Sequence, residues 1–126
     1  MTAERRQLGS DGERAAERFL RRRGYTIVAR NYRCRVGEID LIALDGSSVV
    51  FVEVKTLSGT AFGAPYDAVG VRKQRQLARV AEYYLAAQRL EDRDVRFDVV
   101  SVAQRGGELV CELLRDAFDP DEPGEW

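Results

Sequence analysis

Histidine is absent from these 126 residues. That gap excludes a Ser–His–Asp triad, a Cys–His dyad, a histidine general base and any histidine-ligated zinc. Cysteine is nearly as scarce: Cys34 and Cys111 are the only two, too few for a four-cysteine zinc site and without a CxxC pair. Two thiols so far apart suit reduced cysteines in a cytosolic protein. Cys34, set between Arg33 and Arg35, has a surrounding that could lower a thiol pKa, but an isolated, partly exposed cysteine is expected. No apolar run approaches the ~20 residues of a membrane span. The polar N-terminus lacks the apolar stretch of a signal peptide. A cytoplasmic protein with no membrane partner is therefore expected, and its chemistry must use carboxylates, amines, hydroxyls or a thiol.

Lysine is the other scarcity. Of 20 cations only Lys55 and Lys73 are lysine, and the rest are arginine. In such a composition a retained lysine invites a question about its role. What is present is ordinary: 44% hydrophobic and 33% charged residues describe one globular domain. A chain of this length removes roughly two-thirds of its unfolded surface from water, so its core needs no staples. The net charge of −1 hides a division, because residues 1–36 carry ten arginines against four acids. The basic first third suits a local phosphate-facing patch.

There is no internal repeat, low-complexity segment or linker. Ser10 and Glu13 have capping-box spacing, which predicts a helix starting there, with Ala15, Ala16, Phe19 and Leu20 as its apolar stripe and Gly24 as its stop. Three strands are expected next, over residues 25–32, 38–44 and 49–56. In the second, Ile39, Leu41 and Ala43 should share one face and Glu38, Asp40 and Ile42 the other. Asp45-Gly46-Ser47-Ser48 reads as a hairpin turn, giving an antiparallel meander. A loop over 57–65 leads to a helix over 67–90, marked by Leu77, Val80, Ala81, Tyr84 and Leu85. Tyr83 and Tyr84 are expected in the helix core rather than as base-stacking platforms. Strands over 95–102 and 109–114 complete the order αβββαββ, an α/β (mixed α+β) single domain over 1–118. Residues 119–126 form an acidic tail expected to be flexible.

The chemistry concentrates in Val49 to Thr56. Residues two apart share a strand face, so Val50, Val52 and Val54 can face a core while Glu53 and Lys55 project together from the other side. Taken alone, the pair is equally an ion pair at a sheet edge. If the Asp45-Gly46 turn pairs this strand with the preceding one, Asp40 joins Glu53 and Lys55, with Glu38 nearby. Clustered carboxylates raise one another's pKa unless a cation sits between them. A hard divalent cation with oxygen ligands is the natural occupant. A metal also gives a chain without histidine a strong nucleophile at neutral pH, by lowering the pKa of water.

Gly37 to Ala43 followed by Val50 to Lys55 resembles the D…ExK core of the PD-(D/E)xK nuclease superfamily. More closely, the chain resembles the bacterial YraN-like family, small proteins similar to archaeal Holliday junction resolvases. The likeness spans residues 9–118. It includes Gly12, Glu13 and Ala16, Phe62-Gly63-Ala64-Pro65, Lys73, Gln74, Ala81, Tyr84-Leu85 and Ala117-Phe118. The resemblance implies a restriction-endonuclease-like fold with Mg²⁺ or Mn²⁺ held by Asp40, Glu53 and the main-chain carbonyl of Val54. It implies that Lys55 orients the attacking water or stabilises charge on the phosphate. It also implies a first-helix glutamate, for which Glu13 has the right spacing, whereas Glu17 is expected to point toward solvent. The capping role of Glu13 stays open beside this. Gln74 matches a second-helix polar position. Two departures stand out: Ile39 replaces the proline of the superfamily name, and Leu57 stands where many relatives carry an arginine, which removes one phosphate contact.

The expected function is metal-dependent hydrolysis of DNA phosphodiesters, on structured or branched DNA by analogy. Arg30, Arg33, Arg35, Arg72, Lys73, Gln74 and Arg75 are the candidate backbone contacts. The alternatives are a nucleic-acid-binding or regulatory module that keeps the fold but cleaves little or nothing, and an interaction subunit whose acids are structural. DNA is the expected partner ahead of RNA, with a homodimer left open.

Overall fold

Val49, Val50, Phe51 and Val52 are all buried, which puts this run in the middle of a sheet covered on both faces. The computed structural model describes residues 3–57 and 70–119, with side chains from residue 9 onward. The expected loop after residue 57, the Phe62 to Pro65 block, the first residues of the expected second helix and the tail beyond Asp119 lie outside them. The elements are α1 (Ala3–Arg22), β1 (Thr26–Cys34), β2 (Gly37–Asp45), β3 (Ser48–Leu57), α2 (Val71–Ala87), β4 (Val95–Arg105) and β5 (Glu108–Leu114). They form one five-stranded mixed sheet in the order β1-β2-β3-β4-β5. Only β3 and β4 run parallel, because α2 lies between them in the chain and carries it back across the sheet. This is the expected αβββαββ architecture, consistent with a restriction-endonuclease-like mixed fold.

One helix covers each face. Leu77, Val80, Ala81 and Leu85 of α2 pack on Ile39, Ile42, Val49, Phe51, Phe97 and Val99. Ala15, Ala16 and Leu20 of α1 pack on Leu41, Ala43, Val50, Val52, Val100 and Val102. Fully burying a side chain the size of Leu or Phe contributes roughly 1.5–3 kcal/mol, and these two layers explain why no disulfide is needed. Cys34 and Cys111, on the two edge strands and in different layers, are both free.

Helix α1 begins about two turns before Ser10, so the expected capping box does not form. Ser10 Oγ instead accepts a 3.0 Å hydrogen bond from Arg14 one turn on. Ala3 to Leu8 are mostly good helix formers, and they carry the helix back past the Ser10 signal. The helix closes on the sheet at Gly12: a Cβ there would stand 2.2 Å from Thr56 Cγ2. A glycine in mid-helix is costly in itself, but here it permits the close approach that brings the next residue, Glu13, toward Asn31 of β1 and Asp40 of β2. Tyr83 corrects another expectation, being 46% exposed. Tyr84 alone is inside, edge-on to Tyr32 and Phe51 at 5.1 and 5.8 Å.

On β4, Asp98 is fully buried and fully partnered. It accepts hydrogen bonds from Tyr25, from Arg96 and from the Asp116 amide. Arg96 continues to Asp45, which Arg115 also reaches. The network ties α1's exit, β2, β4 and the chain after β5 together. Every one of its charges is paired, as a buried network requires.

Candidate functional site

The β2–β3 ladder runs from Asp45↔Ser48 to Leu41↔Val52 and ends there. Beyond it β2 stays with β1 as far as Gly37, while β3 stays with β4 as far as Leu57. The two central strands thus part like a fork. Asp40 lies in the opening, and its carboxylate accepts a 2.7 Å hydrogen bond from the Val54 amide. A backbone N–H at this depth must be paired, and Asp40 supplies the acceptor that β2 no longer offers.

A slip in β2 brings Asp40 there. Ile39 and Ile42 pack on the α2 side, while Leu41 and Ala43 pack on the α1 side. The expected single face of Ile39, Leu41 and Ala43 is therefore broken between Ile39 and Leu41. Across from this point, between the paired positions Arg30↔Leu41 and Tyr32↔Ile39, lies Asn31 with φ 47°. Asparagine is one of the few side chains that tolerates this left-handed conformation. Its amide hydrogen-bonds the Glu13 carboxylate.

Glu53 follows in the fork, on the α2-facing side of β3, with its side chain 12% exposed. Burial, then hydrogen bonding and charge from Asp40, push its carboxyl up to about 8, against the pull of Lys73. Lys73 Nζ sits 3.3 Å from Glu53 Oε2. The cation on Glu53 is thus the lysine from α2 and not its strand neighbour Lys55, which is half-buried two residues along. Glu13 approaches Asp40 from α1 across a cavity of about 350 Å³, also lined by Arg14, Glu17, Arg30 and Asn31. Burial first and the Asp40 charge second raise its pKa, while Asn31 holds it down.

A family model described as "Uncharacterised protein family UPF0102" matches residues 12–102. The chain belongs to the UPF0102 family. It is 53% identical over 114 residues to the UPF0102 protein of Symbiobacterium thermophilum, covering 90% of this chain and 97% of that one. It is 47% identical over 121 residues to that of Syntrophotalea carbinolica, covering 96% and 98%. Moorella thermoacetica has another at 46% over 120 residues, covering 94% and 100%. The matched span takes in Gly12, Glu13, Asn31, Asp40, Glu53, Lys55 and Lys73, so every residue of the fork belongs to the UPF0102 segment.

The other expected contacts of this UPF0102 chain divide. Arg35, Arg72 and Arg75 are exposed, and Arg33 pairs with Glu38 at 3.0 Å on the surface. Arg30 is engaged elsewhere: its guanidinium grips both oxygens of Glu17, through Nε at 2.8 Å and through a second, shorter contact. Glu17 itself is buried, with Arg21 as a further partner at 2.8 Å, so it does not face solvent as expected. A bidentate arginine on a carboxylate is among the strongest pairings available, and it fastens β1 to α1 beside the fork. Gln74 is fully buried on the inner stripe of α2 with Leu77 and Ala81, which withdraws it from direct contact with a nucleic acid. Asn31 escaped sequence reasoning, its one signal being a poor strand former between Arg30 and Tyr32.

The donors suit a hard cation. Asp40 and Glu53 offer oxygen only, and their mutual repulsion is relieved by positive charge. Among the described residues no group of three or more Asp, Glu, Cys or His side chains forms a ready metal cage. Two carboxylates are the usual protein share for Mg²⁺, which keeps several of its waters. Asp40 and Glu53 are the side chains that could hold such a cation, with Glu13 close enough to Asp40 to feel its charge. Among the described residues no helix is long and apolar enough to cross a membrane.

Proposed function

We propose that this UPF0102 protein binds DNA and hydrolyses its phosphodiester bonds with Mg²⁺ or Mn²⁺. The observation that carries it is the meeting of Asp40 and Glu53 in the β2–β3 fork with a lysine beside Glu53. Such a divalent cation supplies Lewis acidity toward a phosphoryl oxygen and an acidified water. In the hydrolysis, water adds to phosphorus and one P–O ester bond breaks. The Lys55 ammonium offsets the charge that builds on the phosphoryl oxygens. Asp40 gives the opening its negative charge, Glu53 joins it when a cation displaces its proton, and Asn31 and the Glu17–Arg30 clamp hold the α1 wall in place.

The test is cleavage of labelled duplex, single-stranded and four-way-junction DNA in Mg²⁺ or Mn²⁺, against EDTA and against Asp40→Asn. Metal-dependent cleavage reduced at least 100-fold in the variant is expected, and equal cleavage by both proteins would falsify the proposal. A second reading, binding with little or no cleavage, is favoured by Lys73, whose ammonium already occupies the Glu53 carboxyl at 3.3 Å. Binding of the panel without cleavage in either metal would establish it.

A further inference from the structure

Helix α2 turns Gln74, Leu77, Val80, Ala81 and Leu85 into the core. Arg72, Lys73, Gln76 and Arg79 follow one another along a different side, at steps that keep them on adjacent turns. Together with Val36 and Gly70 they line an open cavity of about 530 Å³. Gln76, itself exposed, lies over Gly37, where a Cβ would stand 2.8 Å from its amide nitrogen. Among the described residues, three of the lining side chains are cationic and none is acidic. Arg72 and Arg79 are exposed, and among the described residues neither makes an ion pair with a carboxylate. Like charges gathered around one hollow repel unless an anion shares it. Guanidinium forks match phosphate oxygens in particular.

We infer that this cavity is a subsite for a backbone phosphodiester of the bound strand, and that Lys73 is shared between it and Glu53. It rests on the proposed nucleic-acid substrate and deepens it by naming where the strand is held. Lys73 lies in the cavity wall and also 3.3 Å from Glu53. With a divalent cation held at Glu53, Lys73 would no longer be needed at that carboxyl and its ammonium would be available to the phosphate. Cation and strand then strengthen each other's binding, and by linkage the effect is reciprocal.

The experiment is a fluorescence-anisotropy titration of a labelled DNA oligonucleotide, at fixed ionic strength, in Ca²⁺ and in EDTA, repeated over a salt series. Arg72→Gln and Arg79→Gln should each weaken binding and lower the slope of log K against log salt by about one, while exposed Arg93→Gln changes neither. Wild type should bind more tightly in Ca²⁺ than in EDTA, and Lys73→Gln should lose that difference. Unchanged slopes in both arginine variants, a Ca²⁺ effect surviving in Lys73→Gln, or inorganic phosphate binding as tightly as the oligonucleotide would overturn the inference. Absence of cleavage with these binding results intact would sink the hydrolysis alone and leave the subsite standing.

Discussion

Asp40 and Val54 are joined by a 2.7 Å hydrogen bond from the Val54 amide to the carboxylate, where β2 and β3 have already separated. One side chain therefore closes the backbone's hydrogen bonding and presents charge to the opening. The two duties can be separated by substitution. Asp40→Asn retains a carbonyl acceptor for Val54 and should fold with near-normal stability while losing metal-dependent activity. Asp40→Ala strands the amide and should cost about 1–3 kcal/mol more, read as a lower urea midpoint. Equal midpoints for the two variants would show that the hydrogen bond contributes nothing.

Glu53, with its carboxyl near 8 in the folded chain and 4.5 as the reference value, retains a proton that the unfolded chain gives up between those values. The folded form binds more protons in that window, so stability from this group is full below pH 4.5 and is lost as pH rises to about 8. Each unit of difference is worth roughly 1.4 kcal/mol, and a few kcal/mol is the ceiling here. Glu17, whose pKa is lowered by Arg30, acts in the opposite sense but below pH 4.5, outside the window. Denaturation of wild type and Glu53→Gln across pH 4.5–8 should show the variant losing less. Mg²⁺ should raise the stability of wild type at pH 8 and not that of Glu53→Gln.

Two glycines of α1 should respond in opposite directions. Gly12 meets Thr56, where an added methyl has no room, whereas a Cβ at Gly9 meets nothing within 4 Å among the described residues. Gly12→Ala should lose about 1–3 kcal/mol through overpacking, more than the gain of about 1 kcal/mol in helix propensity. Gly9→Ala should keep that gain and be the more stable protein. Thermal denaturation decides, and a stabilised Gly12→Ala would mean that the helix does not approach β3 so closely.

Asn31 offers a position where backbone and side chain can be tested apart. Asn31→Gly keeps the φ 47° conformation and removes the hydrogen bond to Glu13; Asn31→Ala removes both. With its lowering partner gone, Glu13 should titrate higher in both variants, visible as a shift of its carboxyl resonance by NMR. Asn31→Ala should in addition be less stable than Asn31→Gly, by about 1 kcal/mol. An unmoved Glu13 resonance would remove Asn31 from the site.

Much of this was legible along the chain because it depends on local geometry. Strand parity put Glu53 and Lys55 on one side, turn chemistry at Asp45-Gly46 joined β2 to β3, and the Leu77 to Leu85 spacing gave α2 its buried stripe. Those signals span a few residues each, and neighbouring residues suffice to express them. Ser10 shows where local signals fail: the capping pattern is present, yet the helix runs through it. The partner of Glu53 was equally out of reach, since Lys73 is twenty positions away and is brought there only by the crossover helix.

By itself the sequence determined that histidine chemistry is excluded, that the order is αβββαββ, and that Asp40, Glu53 and Lys55 lie on adjoining strands. Only the tertiary structure decided that β2 and β3 part at Leu41, that Asn31 opposes Asp40, that Glu17 holds Arg30, and that Lys73 faces Glu53. The physical reason is distance. Side-chain periodicity is written residue by residue, whereas a charge's partner and a strand's point of divergence depend on elements that meet only when the helices close over the sheet.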